Sequence, residues 1–170
     1  MMIVSDARRY QGRWWKSKGF LASLSYRIRR ARKTGGIVCR FLLPLDILAR
    51  IVKALTSDAE LPWCVPIGPG LFLPHPQGVI LGMKTRLDHH VAIFQQVTVG
   101  AWNGKEPRIC AHVALYAGSR VFGGVRIGRR SSVGANAVVV KDVPDYHTAV
   151  GVPAKNRPSR HVRPPVARAA

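Results

Sequence analysis

His75 lies between Pro74 and Pro76 in the stretch LPHPQGVILG, residues 73–82. An imidazole titrates near pH 6.5, so a histidine is suited to take a proton from a weak nucleophile such as a hydroxyl near neutrality. A turn flanked by prolines can also hold a histidine as an ordinary polar residue, and the local composition does not choose between the two. The other candidates are His89, His90 and His112, whose rings can ligate a metal, and the thiols Cys39, Cys64 and Cys110. The cysteines are odd in number, widely spaced and without a CxxC pair. That argues against a disulfide framework or a metal knuckle and for reduced thiols in a cytosolic protein.

What must position these residues is a repeat. From Leu81 onward the aliphatic residues Leu81, Leu87, Ile93 and Val99, then Ile109, Leu115, Val121, Ile127, Val133 and Val139, fall in steps of six. The fifth position of each hexad is small or β-branched: Thr85, Val91, Val97, Val113, Ser119, Val125, Ser131 and Ala137. Neither a 3.6-residue helical period nor simple alternation produces this pair of constraints. A fixed hexad is the mark of a β-helix, in which short strands wind around a triangular prism and each coil covers the next. The register is broken twice. Eight residues instead of six separate Leu73 from Leu81, and GAWNGKEPR adds four residues between Val99 and Ile109, where its Gly, Pro and charged residues predict an outward loop. Insertions into a solenoid map to its surface loops, where function concentrates.

The segment before the repeat reads differently. Leu48, Ile51, Val52 and Leu55 share one face of a short amphipathic helix, and GFLASLSYRIRRARK, residues 19–33, predicts a second with one strongly basic side. The N-terminal MMIVSDARRYQGRWWKSKG lacks the apolar core of a signal peptide. Arg40, Pro44, Asp46, Arg50 and Lys53 interrupt the most apolar run too often for a span of about 20 residues. The net charge of +19 favours phosphate-bearing partners without choosing among them, and its densest cluster is Arg27, Arg29, Arg30, Arg32 and Lys33. Trp14 and Trp15 within this basic sequence suit either an anionic surface or packing on the helices. The chain divides into a basic helical segment over residues 1–60, a β-helix over 61–155, and an unstructured basic tail over 156–170.

The hexads, the closing VGANAVVVKDVPDYHTAVGVPAK and the LPHPQGVILG insertion together resemble the hexapeptide-repeat acetyltransferases, above all the serine O-acetyltransferases and their sugar-acetylating relatives. The resemblance covers roughly residues 60–155. It implies a mainly β fold, a left-handed parallel β-helix with a short N-terminal α-helical segment, which assembles as a homotrimer and binds acetyl-CoA between adjacent prisms. It further implies that His75 is the general base and that Glu60, fifteen residues earlier, orients its ring, with Glu in place of the usual Asp. By the same resemblance Ala117, Gly118 and Ala135 line the pantetheine arm, and Lys141 and Lys155 meet the nucleotide phosphates.

The departures from that pattern concern the acceptor. Pro74 stands where an aspartate often meets the amino group of serine, and Lys105 and Glu106 stand where an Arg-His pair meets its carboxylate. These substitutions favour a sugar or polysaccharide hydroxyl over L-serine as the acceptor. Some hexapeptide-repeat proteins carry zinc on a His-x4-His spacing. That spacing is absent here, and adjacent histidines diverge on a strand, so no metal is expected at His89, His90 and His112. The expectation is a cytoplasmic acetyl-CoA-dependent O-acetyltransferase whose basic helix, residues 19–33, can face an anionic inner-membrane surface rather than nucleic acid. The contrasting reading is a non-catalytic trimeric scaffold that grips an anionic membrane or nucleic acid through the same basic helices.

Overall fold

The computed structural model describes residues 2–10, 12, 14–35 and 41–159. Cys39 and most of the expected C-terminal tail lie outside the described residues. Among the described residues eleven short strands form three parallel faces of a solenoid of about four coils, and a twelfth adds to one face antiparallel. Face A holds β1 (Ile80–Leu81), β4 (Thr98–Gly100), β7 (Arg120–Phe122) and β10 (Val138–Val139). Face B holds β2 (Arg86–Leu87), β5 (Arg108–Ile109) and β8 (Arg126–Ile127). Face C holds β3 (Ala92–Ile93), β6 (Ala114–Leu115), β9 (Ser132–Val133) and β11 (His147–Val150), with β12 (Lys155–Pro158) antiparallel at its end.

The hexad explains this packing residue by residue. Every aliphatic position from Leu81 to Val139 is at least 97% buried, and the fifth positions, from Thr85 to Ala137, are buried as well. Burying each such aliphatic side chain contributes roughly 1.5–3 kcal/mol, which is why the period tolerates no polar residue on its inner position. Paired residues on successive coils are 18 apart, as in Leu81↔Val99 and Val121↔Val139. The coil carrying the inserted loop lengthens the spacing to 22, as in Val99↔Val121, yet the pairing continues unchanged.

Two edges of the prism turn through a left-handed backbone residue. Between faces B and C these are Gly70, His90, His112, Arg130 and Tyr146; between faces C and A they are Gly78, Gln96, Gly118 and Asn136. From the second coil onward each such residue donates its backbone N–H to the coil before it, as His112 does to His89 O at 3.1 Å and Asn136 to Ala117 O at 2.9 Å, whereas Gly70 and Gly78 of the first coil donate to the carboxylates of Asp6 and Asp58. The ladder therefore continues around the corners.

The first coil lacks a coil beneath it, and helices supply what is missing. Helix α1 (Met2–Arg8) places the fully buried Asp6 carboxylate on the backbone N–H groups of Gly70 (2.8 Å) and Leu71 (3.0 Å). Helix α2 (Lys18–Thr34), capped by the Ser17 hydroxyl, returns Ser23 Oγ and Arg27 Nε to the same carboxylate at 2.6 and 3.0 Å. Arg27 then donates to the carbonyls of Ile67 and Gly68, Arg30 to those of Trp63 and Val65, and Tyr26 to that of Val65. The basic face of this helix thus satisfies the open edge of the first coil. Arg32 pairs with Asp46, and Lys33 lies over the Trp63 ring. Trp14 packs edge-on against Phe20.

Three features lie beyond what the sequence predicts. Helix α3 (Leu43–Thr56) forms as its periodicity predicts, but Leu48, Ile51 and Leu55 are exposed, and its buried residue is Asp46, drawn inward by Arg32. Residues 156–158 join β12 instead of starting a tail, because β11 offers them an unpaired edge. A short helix, α1, precedes the basic one. No helix among the described residues is long and apolar enough to cross a membrane.

Asp6→Ala would leave the Arg27 guanidinium buried without its partner carboxylate and two backbone N–H groups without acceptors. A loss of about 3–5 kcal/mol is expected by urea denaturation, against less than about 1 kcal/mol for Arg108→Ala, whose pair with Asp88 is exposed.

Candidate active site

The break in register that singles out His75 is a true departure in the coil. Leu73 and Val79 on either side are fully buried, while His75 stands exposed at the C–A edge. Both ends of this irregular turn are pinned from elsewhere in the chain. The Tyr10 hydroxyl accepts from the Leu73 N–H at 2.9 Å, and burial pushes the Tyr10 phenol well above its usual range. Gly19 of α2 lies against the same residue so closely that a Cβ would overlap the Leu73 carbonyl oxygen. At the other end the Asp58 carboxylate accepts from the Gly78 N–H at 2.9 Å. The imidazole is therefore carried on a backbone whose direction is fixed two residues before it and three after it.

Glu60 bridges to Ile80 at the start of face A, through Glu60 N–H to Val79 O and Leu81 N–H to Glu60 O. Its side chain is exposed at the same end of the prism as His75, and no hydrogen bond or ion pair joins the two side chains in the single chain. Ala117, Gly118 and Ala135 fall on the C–A edge below His75. The backbone ladder Gln96→Gln77, Gly118→Gln95 and Asn136→Ala117 makes them successive steps of one column. With coils about 4.8 Å apart, Ala117 stands roughly 10 Å and Ala135 roughly 14 Å along the edge from the turn that bears His75. Gly118 is accounted for within the chain, since its φ is +68° and a Cβ would overlap the Asn136 side-chain oxygen. Lys141 is exposed beyond β10, and Lys155 is exposed in β12.

Pro74 is half-buried directly before His75. Lys105 and Glu106, by contrast, lie on the A–B edge, a full face of the prism away from His75 in the same chain. The inserted loop is a tight hairpin. Trp102 and Lys105 exchange backbone hydrogen bonds at 3.0 and 3.1 Å around Asn103 and Gly104, both left-handed. The Asn-Gly pair is the sequence signal for such a turn. Glu106 does not project freely from it. Its Oε2 accepts from the Lys84 N–H (2.8 Å) and the Thr85 hydroxyl (2.9 Å), folding back over Gly82, where any Cβ would press on the carboxylate. Trp102, Ala101, Phe122 and Val140 line an apolar hollow of about 320 Å³ beside the hairpin, which the hexad pattern does not reveal.

His89, His90 and His112 come together on the third edge, between faces B and C. His89 and His90 occupy a turn, not a strand, so the divergence expected of adjacent strand residues does not apply there. Burial and the nearby Arg9 lower the His90 pKa, and burial with the neighbouring histidines and Arg130 lowers that of His112. Cys64 and Cys110 are free thiols on separate coils, and burial pushes the Cys110 thiol up.

No model of a protein family matches the sequence. The serine acetyltransferase of Haemophilus influenzae is 34% identical over 143 residues, which cover 81% of this chain and 51% of that one. A solved serine acetyltransferase in complex with CoA has a TM-score of 0.74 at 26% identity, covering 92% of this chain and 68% of the other. Soybean serine acetyltransferase complexed with serine reaches a TM-score of 0.76 at 28% identity, with the same coverage of 92% and 68%. The chain spans about half the length of the curated relatives it matches. These relatives are named for serine, and the preference for a sugar hydroxyl drawn from Pro74 and Glu106 has no counterpart among them. Its hexads, coils and sequence make the chain a homologue of the serine acetyltransferases, built on the hexapeptide-repeat transferase fold.

Proposed function

We propose that the protein is an acetyl-CoA-dependent O-acetyltransferase of the serine acetyltransferase type, with L-serine as acceptor. The observation that carries this reading is the exposed His75 on an irregular turn fixed at both ends, at the head of an edge whose lower steps are Ala117 and Ala135. The acceptor hydroxyl gives its proton to the His75 ring as its oxygen attacks the thioester carbonyl. The tetrahedral intermediate collapses, the C–S bond breaks, and the imidazolium returns the proton to the departing CoA sulfur. Glu60 acts through His75 as a positioning residue that favours the imidazolium.

Lys105 and Glu106 sit too far around the prism to meet the same acceptor as His75 within one chain. A second copy whose A–B edge lies beside the C–A edge of the first would bring the hairpin to the histidine. A homotrimer of this kind would hold acetyl-CoA between prisms, with Lys141 and Lys155 among the residues that meet it. The scaffold reading is weaker, because Arg27, Arg30 and Arg32 have partners inside the chain.

A sugar or polysaccharide hydroxyl is a second reading, favoured by Pro74 and by the charge of Glu106. The brace that Glu106 makes to Lys84 and Thr85 gives that carboxylate a structural reason to be there, which leaves serine ahead.

His75→Ala is expected to lower turnover by about 10²–10⁴-fold while leaving CoA binding nearly unchanged; full turnover in that variant removes the histidine from the reaction. Thiol release from acetyl-CoA, measured against L-serine, simple sugars, nucleotide sugars and oligosaccharides, should identify serine as the preferred acceptor. Glu106→Gln keeps an acceptor oxygen for the brace and removes the charge. Its kcat/KM for serine should stay within about twofold, whereas a rise of about tenfold or more would show that the carboxylate excludes serine.

A further inference from the structure

Three of the six histidines of the chain converge at one corner of two successive coils, on an edge that the proposed transfer reaction does not use. His89 and His90 belong to one turn and His112 to the equivalent turn of the next coil, joined by the bond from His112 N–H to His89 O. One ligand atom of each ring lies within 4.8 Å of the others. The Nδ1 atoms of His89 and His90 are 2.9 Å apart, and the His90 and His112 rings stack with centroids 5.0 Å apart.

Such a cluster is costly as three cations. Protonating it would set like charges against one another and against Arg9, whose guanidinium reaches the His90 carbonyl at 3.4 Å, and against Arg130 on the next step of the column. Arg129 lines the same hollow of about 470 Å³, together with Asp88 and Tyr146. Neutral imidazole, through a ring-nitrogen lone pair, is the form that binds a metal. Arg9, Arg129 and Arg130 oppose a cation here. Asp88, whose tie to Arg108 is exposed and long at 3.7 Å, is the carboxylate on the same hollow that can offset them. Imidazole suits the late first-row divalent metals, and three histidines leave a further position for water or for Asp88. The χ2 torsions of histidine are soft, so rotation of the rings can turn one nitrogen of each toward a common centre.

We propose that His89, His90 and His112 form a binding site for a late first-row divalent cation such as Zn²⁺, clipping two neighbouring coils together at the B–C edge. His75 lies on a different edge, so the site stands apart from the acetyl transfer and does not depend on that assignment.

The test uses the full chain without a polyhistidine tag, stripped with EDTA and titrated with Co²⁺ and then Zn²⁺. The expected result is about one Co²⁺ per chain with the ligand-field absorption of a low-coordinate site, displaced by Zn²⁺, and a higher thermal midpoint in the presence of Zn²⁺. His112→Asn keeps a residue that accepts the left-handed backbone, so the fold should survive, and it should weaken binding by more than about tenfold. His147→Ala, which removes a histidine bonded to the Asp145 carbonyl elsewhere, should change nothing. The proposal is overturned if wild-type chain retains no stoichiometric metal, or if folded His112→Asn binds as tightly as wild type.

Discussion

A solenoid repeats everything except its ends, and the carboxylate of Asp6 resolves the first of them. It is fully buried, accepts from two backbone N–H groups of the first coil, and holds Ser23 and Arg27 of the basic helix at the same point. A buried carboxylate stabilises a structure only when its lone pairs are all engaged and its charge is met, and here both conditions hold. Through Arg27 the arrangement extends to the carbonyls of Ile67 and Gly68, so one ion pair meets both donors and acceptors of the open edge, and Arg30 and Tyr26 continue the cap along it. The turn bearing His75 begins immediately after this capped segment. The placement of a surface imidazole therefore descends from a charge pair in the interior.

Given that foundation, the prism assigns separate tasks to its three edges. The C–A edge carries His75 and the small residues below it. The A–B edge carries the hairpin, and the B–C edge carries the stacked histidines. Each edge differs only in what stands at or beside its turning residues, because the inward positions are committed to the core. Variation confined to the corners leaves the ladder intact, which is how a fold of such regularity can present different side-chain groups on each edge of one short chain.

The parts of this structure that were legible in the sequence are those with a period. The hexads from Leu81 to Val139 predict inward positions without exception, and the eight-residue step after Leu73 marks the irregular turn. Helical periodicity locates α2 and α3 but not which way α3 faces. Its apolar stripe suggests burial, whereas the Arg32–Asp46 pair turns the helix around. Charge density in α2 reads equally well as a solvated face or an anion-binding one, and only the fold reveals that Arg27 and Arg30 cap backbone carbonyls some 33–41 residues away. The roles of Tyr10, Gly19 and Asp58 around His75 carry no local signal for the same reason. His89 and His90 meet without a local signal, because a corner, unlike a strand, turns adjacent side chains toward one another.

The hairpin at Asn103 and Gly104 has a consequence for how this scaffold changes over time. Its stem closes with two backbone hydrogen bonds, and the strands before and after it keep their pairing although four extra residues intervene. Trp102, Lys105 and Glu106 at its base pack back on the prism, whereas a side chain added at Gly104 would meet nothing. The two-residue tip can therefore be exchanged by inheritance or by engineering, provided that the base keeps its contacts with the trunk.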